Sequence, residues 1–502
     1  MTTDAFSTRF AAADTALAAS WWGVDRQGPS LAEFRRAAEV AGDPLLAEAV
    51  HALDELGIAD LIQLQFVRHA RNYLDVFYYP EPRKGPVVTD AAAATERLRW
   101  PAGAARDGVA LYVDVPFCES VCAFCTTAGK NTHGDRAPVR AYLERLLREV
   151  RLFGGRFADG FPPIACLYIG GGTGSYLELD EIDDLLAGLR GELGLPSGIP
   201  MTLEGSPSTL DGDKAAGLLA RGFSAISFGV ESFEDHLLRD CRRAHDSALA
   251  KARVSDALAA GFGHVNIDLI FGLPHQTLAD FARTMATVGE LLPGAVTFYS
   301  LRLHRKTGFW QRGDENFPAI LPVYLMQVLG RLYLARLGYE RSENNRYVRR
   351  PEFAHAQNNF TRGGGFNLGL GTRAQSQIDG VSWRNSHITR DYLAALDSGH
   401  LPLTHLTEVS PAQTRFKHFL LPLKLRQGLN SATFRARCGL EVEDAFGPII
   451  EELIHHGLLQ RTDGGYGLTE SGLLLETETL RWVEQTMRAQ VSAGAGENAA
   501  TT

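Results

Sequence analysis

Two textures of apolar and polar positions divide the chain. Up to about residue 105 the apolar residues recur at three- and four-residue spacing, as in SLAEFRRAAEVAGDPLLAEAVHALDELGIADLIQLQFVRHARNYL, which predicts an Ala-rich helical region. A breaker-rich linker follows, YYPEPRKGPVV, whose prolines and glycine cannot continue a helix. Beyond it, short β-branched or apolar runs recur, each trailed by a helical stretch. They are VALYVDV at 109, ACLYIGG at 165, IPMTLEGS at 199, AISFGVES at 225, HVNIDLIFGL at 264 and AVTFYSLRL at 295. Such a rhythm of strand and helix predicts an α/β fold with a parallel sheet, most economically a partial (β/α)6 barrel over 106–310.

After 310 the rhythm breaks into a helix, ILPVYLMQVLGRLYLARLGY, and a Gly-rich stretch, RGGGFNLGLGTRAQSQIDG. These form a connecting region, 311–404, expected to complete the core. The segment 405–485 holds several helices and then GLLQRTDGGYGLTESG, two short apolar runs about an Asp-Gly-Gly turn, which suits a winged-helix-like domain. The tail, 486–502, has too little apolar surface to order itself and is expected to be disordered. The helical extension 1–105 thus precedes the barrel and the winged-helix-like domain closes the chain.

Composition narrows the partners. At 502 residues the chain is too long for one ordinary core, and 45% hydrophobic with 22% charged residues is a soluble, globular balance. A formal net charge of −9 gives no footprint for nucleic acid, so the winged-helix-like domain is expected to pack or to act as a lid. No run approaches the roughly 18 apolar residues of a membrane span, and Asp4 and Asp14 interrupt any secretory core. The expected location is cytoplasmic, where thiols stay reduced and clustered cysteines serve metals or catalysis.

Three of the six cysteines, Cys118, Cys122 and Cys125, crowd into PFCESVCAFCTTAGK, just after the first strand. Loops at the carboxyl ends of barrel strands are where such folds keep their active sites. Soft thiolates select zinc, copper(I) or iron-sulfur clusters. A structural zinc site takes four ligands, for which His133 is a candidate fourth; a cube on three thiolates leaves one iron open to a substrate or cofactor. Cys166, Cys241 and Cys438 are scattered and read as small core residues.

The ordered motifs LYVDVPFCESVCAFC, YIGGGTGSYL, LEGSP, ISFGVESF, NIDLIFGLPHQT and LGLGTRAQS resemble the radical SAM superfamily, in the branch of oxygen-independent coproporphyrinogen III oxidase. The resemblance spans about 108–485. It implies a radical SAM barrel with a 4Fe-4S cluster on Cys118, Cys122 and Cys125, the open iron chelated by S-adenosylmethionine. Reductive cleavage of that cofactor would give a 5'-deoxyadenosyl radical, with a flavodoxin or ferredoxin as reductant. Carried over by position, Phe124 packs on the adenine, while Gly171, Gly172 and Thr173 receive the methionyl amino group. Glu204 and Asp268 bind ribose hydroxyls, Arg243 meets the carboxylate, and Tyr112 stands near the sulfonium; Arg242 leaves the register of Arg243 open by one. Ile270, Arg302 and Gln375 correspond to a second cofactor site, so two S-adenosylmethionine molecules are expected.

Departures from the oxidase pattern steer the functional reading. Asp114 stands in place of a histidine, Glu231 in place of a glutamine beside the cofactor, and Thr127 in place of a further cysteine. No cluster of basic residues is dedicated to a tetra-acid, although Arg302, His304, Arg305 and Lys306 could bind an anion or form a solvated run. The leading expectation is therefore one-carbon transfer, C-methylation or cyclopropane formation, to a small or carrier-bound natural-product intermediate, with Tyr112 and Glu231 as catalytic residues. The alternatives are porphyrinogen decarboxylation or haem metabolism, and a non-catalytic haem chaperone.

Overall fold

The computed structural model describes residues 3–23, 27–58, 85–126, 129–314 and 316–499. Strand β1 (Val109–Val115) is buried along nearly its whole length, the pattern of a strand covered on both faces. It pairs in parallel with β2 (Ile164–Gly171), and the series continues in parallel through β3 (Met201–Gly205), β4 (Ala225–Glu231), β5 (His264–Phe271) and β6 (Ala295–Ser300). All six expected runs are strands of this series. The intervening helices bury one apolar stripe each; Ala137–Gly154, for example, turns Val139, Tyr142, Leu143, Leu146, Val150 and Phe153 inward.

The sheet is larger than six strands. After β6 the chain adds β7 (Glu340–Glu343) and β8 (Arg346–Val348) at one edge, antiparallel. It then crosses to the far edge, where β9 (Phe366–Leu370) lies parallel to β1. Strands β10 (Gln375–Ile378), β11 (Val381–Asn385) and β12 (Leu403–Glu408) extend that edge as an antiparallel meander. The result is one open sheet of twelve strands whose parallel part carries seven.

Helices Thr3–Leu17, Leu31–Ala41, Pro44–Glu55 and Ala91–Arg97 lie in the described part of the N-terminal extension. The rest of its expected helical run and the linker stretch YYPEPRK fall in 59–84, outside the described residues. The extension is stitched to the barrel. Asp14 accepts the backbone N–H groups of Leu278 and Ala279 at 2.8 and 2.9 Å, in the first turn of helix Leu278–Leu291. Trp21 donates its indole N–H to the Gln276 carbonyl at 3.2 Å.

At the other end, β13 (Leu429–Asn430), β14 (Leu459–Thr462) and β15 (Gly465–Leu468) make a small antiparallel sheet beside helices Pro411–Leu420, Ser431–Cys438 and Val442–His455. One difference concerns the tail. The last helix, Glu476–Ala499, runs through 486–499, where disorder was expected. Four alanines with Met487, Arg488 and Gln490 favour a helical backbone without an apolar core, which the expectation from apolar content overlooked. Among the described residues no helix is long and apolar enough to cross a membrane.

Candidate functional site

The loop after β1 is pinned from three sides. Cys118 and Lys130 close a short backbone ladder, with Cys118 N–H donating to Lys130 O at 3.1 Å and Lys130 N–H to Pro116 O at 2.8 Å. Between them Ala123 donates to Cys241 O and accepts from Phe309 N–H, both at 2.9 Å. Thr127 and Ala128 lie outside the described residues. This stitching fixes the backbone that presents Cys118, Cys122 and Cys125 to one cleft.

The cleft encloses about 310 Å³ at the carboxyl ends of β2, β3 and β4. The three cysteines line it with Phe124, Gly171, Gly172, Thr173, Glu204, Glu231 and Arg243. Sequence positions more than a hundred residues apart thus meet in one place. Thr173 donates its hydroxyl to Cys118 Sγ at 3.5 Å, and Arg243 donates Nη1 to Cys122 Sγ at 3.1 Å. Arg243, not Arg242, faces the site; its guanidinium also lies 3.6 Å from the Glu231 carboxylate and donates to Gly229 O. Glu231 adopts a left-handed backbone conformation (φ 69°), unusual for a residue other than glycine.

Burial dominates the electrostatics. It pushes the Glu204 carboxyl up to about 8, helped by the nearby charge of Asp268, and the Glu231 carboxyl to about 7 against the pull of Arg243. It also raises the Cys118 thiol to about 11. Buried acids of this kind need donors or cations, and Arg243 is the guanidinium aimed at Glu231.

The residues fit an iron-sulfur cube and an amino-acid cofactor. Among the described residues, the trio of His, Cys, Asp or Glu whose ligand atoms all fall within 4.8 Å of one another is Glu234, His236 and Asp280. The three cysteine sulfurs are therefore spread more widely than ligands at ~2.3 Å from one zinc ion would be, as ligands to separate irons must be. His133 is exposed and outside the cleft, so it does not complete a zinc site. A side chain on Gly129 would collide with Cys118 Sγ, and one on Gly172 would lie 2.6 Å from Phe117 O, so glycines leave the room the cluster loop occupies. Arg243 Nε is buried with no hydrogen-bond partner, an orphan donor suited to an anionic ligand group.

Other expected site residues lie elsewhere. Tyr112 stands in mid-β1, its ring stacked at 6.0 Å on Tyr168, and does not line the cleft. Asp268 lies three residues before the end of β5, where Ser227 donates to it at 2.9 Å and Asn266 at 3.0 Å. The three residues of the expected second cofactor site stand on different elements. Ile270 packs with Phe124 and Phe309, Arg302 lines a separate cavity with Glu476 and Glu478, and Gln375 opens β10 opposite Arg384. They stand on β5, the loop after β6 and the meander, and the register of the sheet separates them. Missed by sequence reading were Ser206, Ser208 and Thr209, which line the cleft beside Glu204. Ser206 is the serine of LEGSP, and the signal for Ser208 and Thr209 was adjacency to that motif. Cys166 and Cys241 are buried core residues, while Arg305 and Lys306 are solvent-exposed.

Comparison with known proteins decides the family. Residues 112–288 match the Radical SAM superfamily, and residues 409–475 match the HemN C-terminal domain. The chain thus carries a radical SAM domain and a HemN C-terminal domain. It is 27% identical over 379 residues to the "Heme chaperone HemW" of Haemophilus influenzae, covering 74% of this chain and 97% of that one. It is 28% identical over 390 residues to the "Oxygen-independent coproporphyrinogen III oxidase" of Escherichia coli, covering 73% and 83%. The solved structure of the Escherichia coli coproporphyrinogen III oxidase matches this radical SAM chain with a TM-score of 0.69 and 24% identity over 80% of this chain and 95% of that one, so the fold is shared.

These findings correct the leading expectation of one-carbon transfer. Methylation or cyclopropane formation on a natural-product intermediate is overturned by relatives that are haem chaperones and coproporphyrinogen oxidases over nearly their whole lengths. The family implies an iron-sulfur cluster and S-adenosylmethionine. A second molecule of that cofactor has no support.

Proposed function

We propose that this chain is a radical SAM enzyme of tetrapyrrole metabolism, acting on a porphyrinogen or a haem at the mouth of the barrel. The observation that carries the reading is the joining of a three-thiol cleft in a radical SAM domain to a HemN C-terminal domain, in a chain similar over nearly three quarters of its length to a haem chaperone and a coproporphyrinogen oxidase. Cys118, Cys122 and Cys125 would hold the cluster. Gly171, Gly172, Thr173, Glu204 and Arg243 would hold S-adenosylmethionine, with Phe124 against its adenine. When bound, the pair supplies a 5'-deoxyadenosyl radical for hydrogen abstraction.

The chain's own residues prepare that site. Arg243 counters Glu231 and Cys122 at once, so one cation sits between the cluster ligands and the wall of the cleft. Phe124 packs with Ile270, Leu301 and Leu303 against Phe309 and Phe317, an apolar partition that keeps water from the adenine side. A flavodoxin or ferredoxin is the reductant this chemistry would draw on.

Anaerobic incubation of the reconstituted protein with S-adenosylmethionine, reductant and coproporphyrinogen III tests the reading. Deoxyadenosine and carbon dioxide are expected together, and Cys122→Ala should abolish both along with the iron-sulfur absorbance near ~400 nm. A protein that forms deoxyadenosine with no tetrapyrrole and binds none would overturn it. A second reading is favoured by the coverage of 97% of a haem chaperone: the chain carries haem without turnover. Stable haem binding without deoxyadenosine would select it.

A further inference from the structure

The meander at the far edge of the sheet brings two arginines to the mouth of the barrel. The loop Gly371-Thr372-Arg373 follows β9, which lies parallel to β1, so it opens beside the loop that carries the cysteines. Arg373 donates Nη2 to both oxygens of Asp114, at 3.0 and 3.4 Å, and Thr372 adds its hydroxyl to the same carboxylate at 3.2 Å. Asp114 sits two residues after Tyr112 on β1, on the same strand face. The pair that departs from the oxidase pattern at Asp114 is therefore a built ion pair.

Arg373 is held at a backbone cost. Its φ is 63°, left-handed for a residue with a side chain, while its N–H donates to Ser386 O at 2.8 Å. A buried core has no use for a guanidinium in such a conformation, and its Nε is buried without a hydrogen-bond partner. Arg384 approaches from the next hairpin. On β11 its neighbour Trp383 stacks on Phe153 of the outer helix Ala137–Gly154, so alternation puts Arg384 on the opposite, concave face. There it lies across from Gln375 in register, and its charge reaches Asp114.

Arg373 thus pairs with Asp114, and Arg384 stands on the neighbouring hairpin across from Gln375. The wall lies next to the cofactor cleft: a side chain on Gly171, which lines that cleft, would meet the Asp114 carboxyl carbon at 2.8 Å. Beside it the stacked rings of Tyr112 and Tyr168 offer an aromatic surface. The other basic groups considered from sequence do not compete. Arg302 faces Glu476 and Glu478, and Arg305 and Lys306 are exposed.

We propose that Arg373 and Arg384, oriented by Asp114, form the wall that recognises a carboxylate side chain of the substrate. The inference rests on the tetrapyrrole reading above and names the group by which the ring would be held. Guanidinium pairs a carboxylate through two parallel N–H donors, which fixes orientation as well as charge.

Fluorescence titration of the full-length, cluster-loaded protein with mesoporphyrin, which carries two carboxylates, and with its dimethyl ester tests this. Wild type is expected to bind the diacid at least about tenfold more tightly than the diester. Arg384→Gln, and the paired variant Asp114→Asn with Arg373→Gly, should each reduce that preference to about threefold or less while diester binding and iron content hold. Glycine suits the left-handed backbone at 373 and asparagine avoids a stranded charge, so the paired variant should fold. Unchanged preference in both variants, or no preference in wild type, overturns the carboxylate wall and leaves the tetrapyrrole reading standing. If wild type binds neither porphyrin, both fall.

Discussion

A methyl group on Gly129 has nowhere to go: it would strike Cys118 Sγ and lie 3.0 Å from Cys118 N. The backbone contact makes this more than a rotamer problem, since Cys118 N–H is already committed to Lys130 O. Gly129→Ala should therefore displace the first ligand, and iron content and the near-400 nm band should fall to a small fraction of wild type, while the melting temperature of the metal-free protein changes little. Full iron loading in that variant would show that the loop yields. That Cys118, Cys122 and Cys125 share one cleft was legible in the sequence because eight residues hold all three. Arg373 was not: it was read as one letter of a Gly-rich motif, and its meaning lies in Asp114, 259 residues away in sequence.

Elements were legible where one period dominates. The six barrel strands recur in one rhythm of strand and helix, but β9 is FNLGL, which follows a break in that rhythm, and it becomes a parallel strand because β1 offers it a vacant edge. Sequence pattern reports the period of a segment, not which strand it will pair with, so the face shared by Gln375 and Arg384 appears only once β10 and β11 are in register. The N-terminal extension shows the same limit. Helix Leu278–Leu291 caps itself through Thr277 and Asp280, and Asp14 from the extension takes two further N–H donors of its first turn. Asp14→Ala should cost about 1–2 kcal/mol in urea unfolding. Asp14→Asn, which keeps one acceptor oxygen, should recover part of that. A loss within error in both variants would mean water replaces the cap.

For the whole molecule, the buried titratable groups set the pH range in which the fold is most stable. Burial raises Glu149 to about 7 although Gly371 N–H, Asn385 and Tyr392 all donate to it, and raises Glu204 to about 8 and Glu231 and Glu478 to about 7. A carboxyl whose pKa is higher folded than unfolded binds more protons in the native state. Its contribution is complete below the unfolded value of about 4.3 and is lost as pH rises through the folded value. Burial works the other way on His245 and His418, each lowered to about 4, and on His264, lowered to about 3. Those contributions are complete above the unfolded value of about 6.5 and are lost as pH falls. Between about pH 4.5 and 6.5 the two sets oppose one another. Above 6.5 only the carboxyls act, so the metal-free protein should lose stability from pH 6.5 to 8, at up to about 1.4 kcal/mol per pH unit for each group still titrating. Chemical unfolding across that range checks the sign, and Glu149→Gln should flatten the fall below about pH 7 because the amide cannot ionise. A stability that climbs from pH 6.5 to 8 would mean these carboxyls are charged in the fold from the start, which the burial of Glu149 among the neutral donors Gly371, Asn385 and Tyr392 opposes.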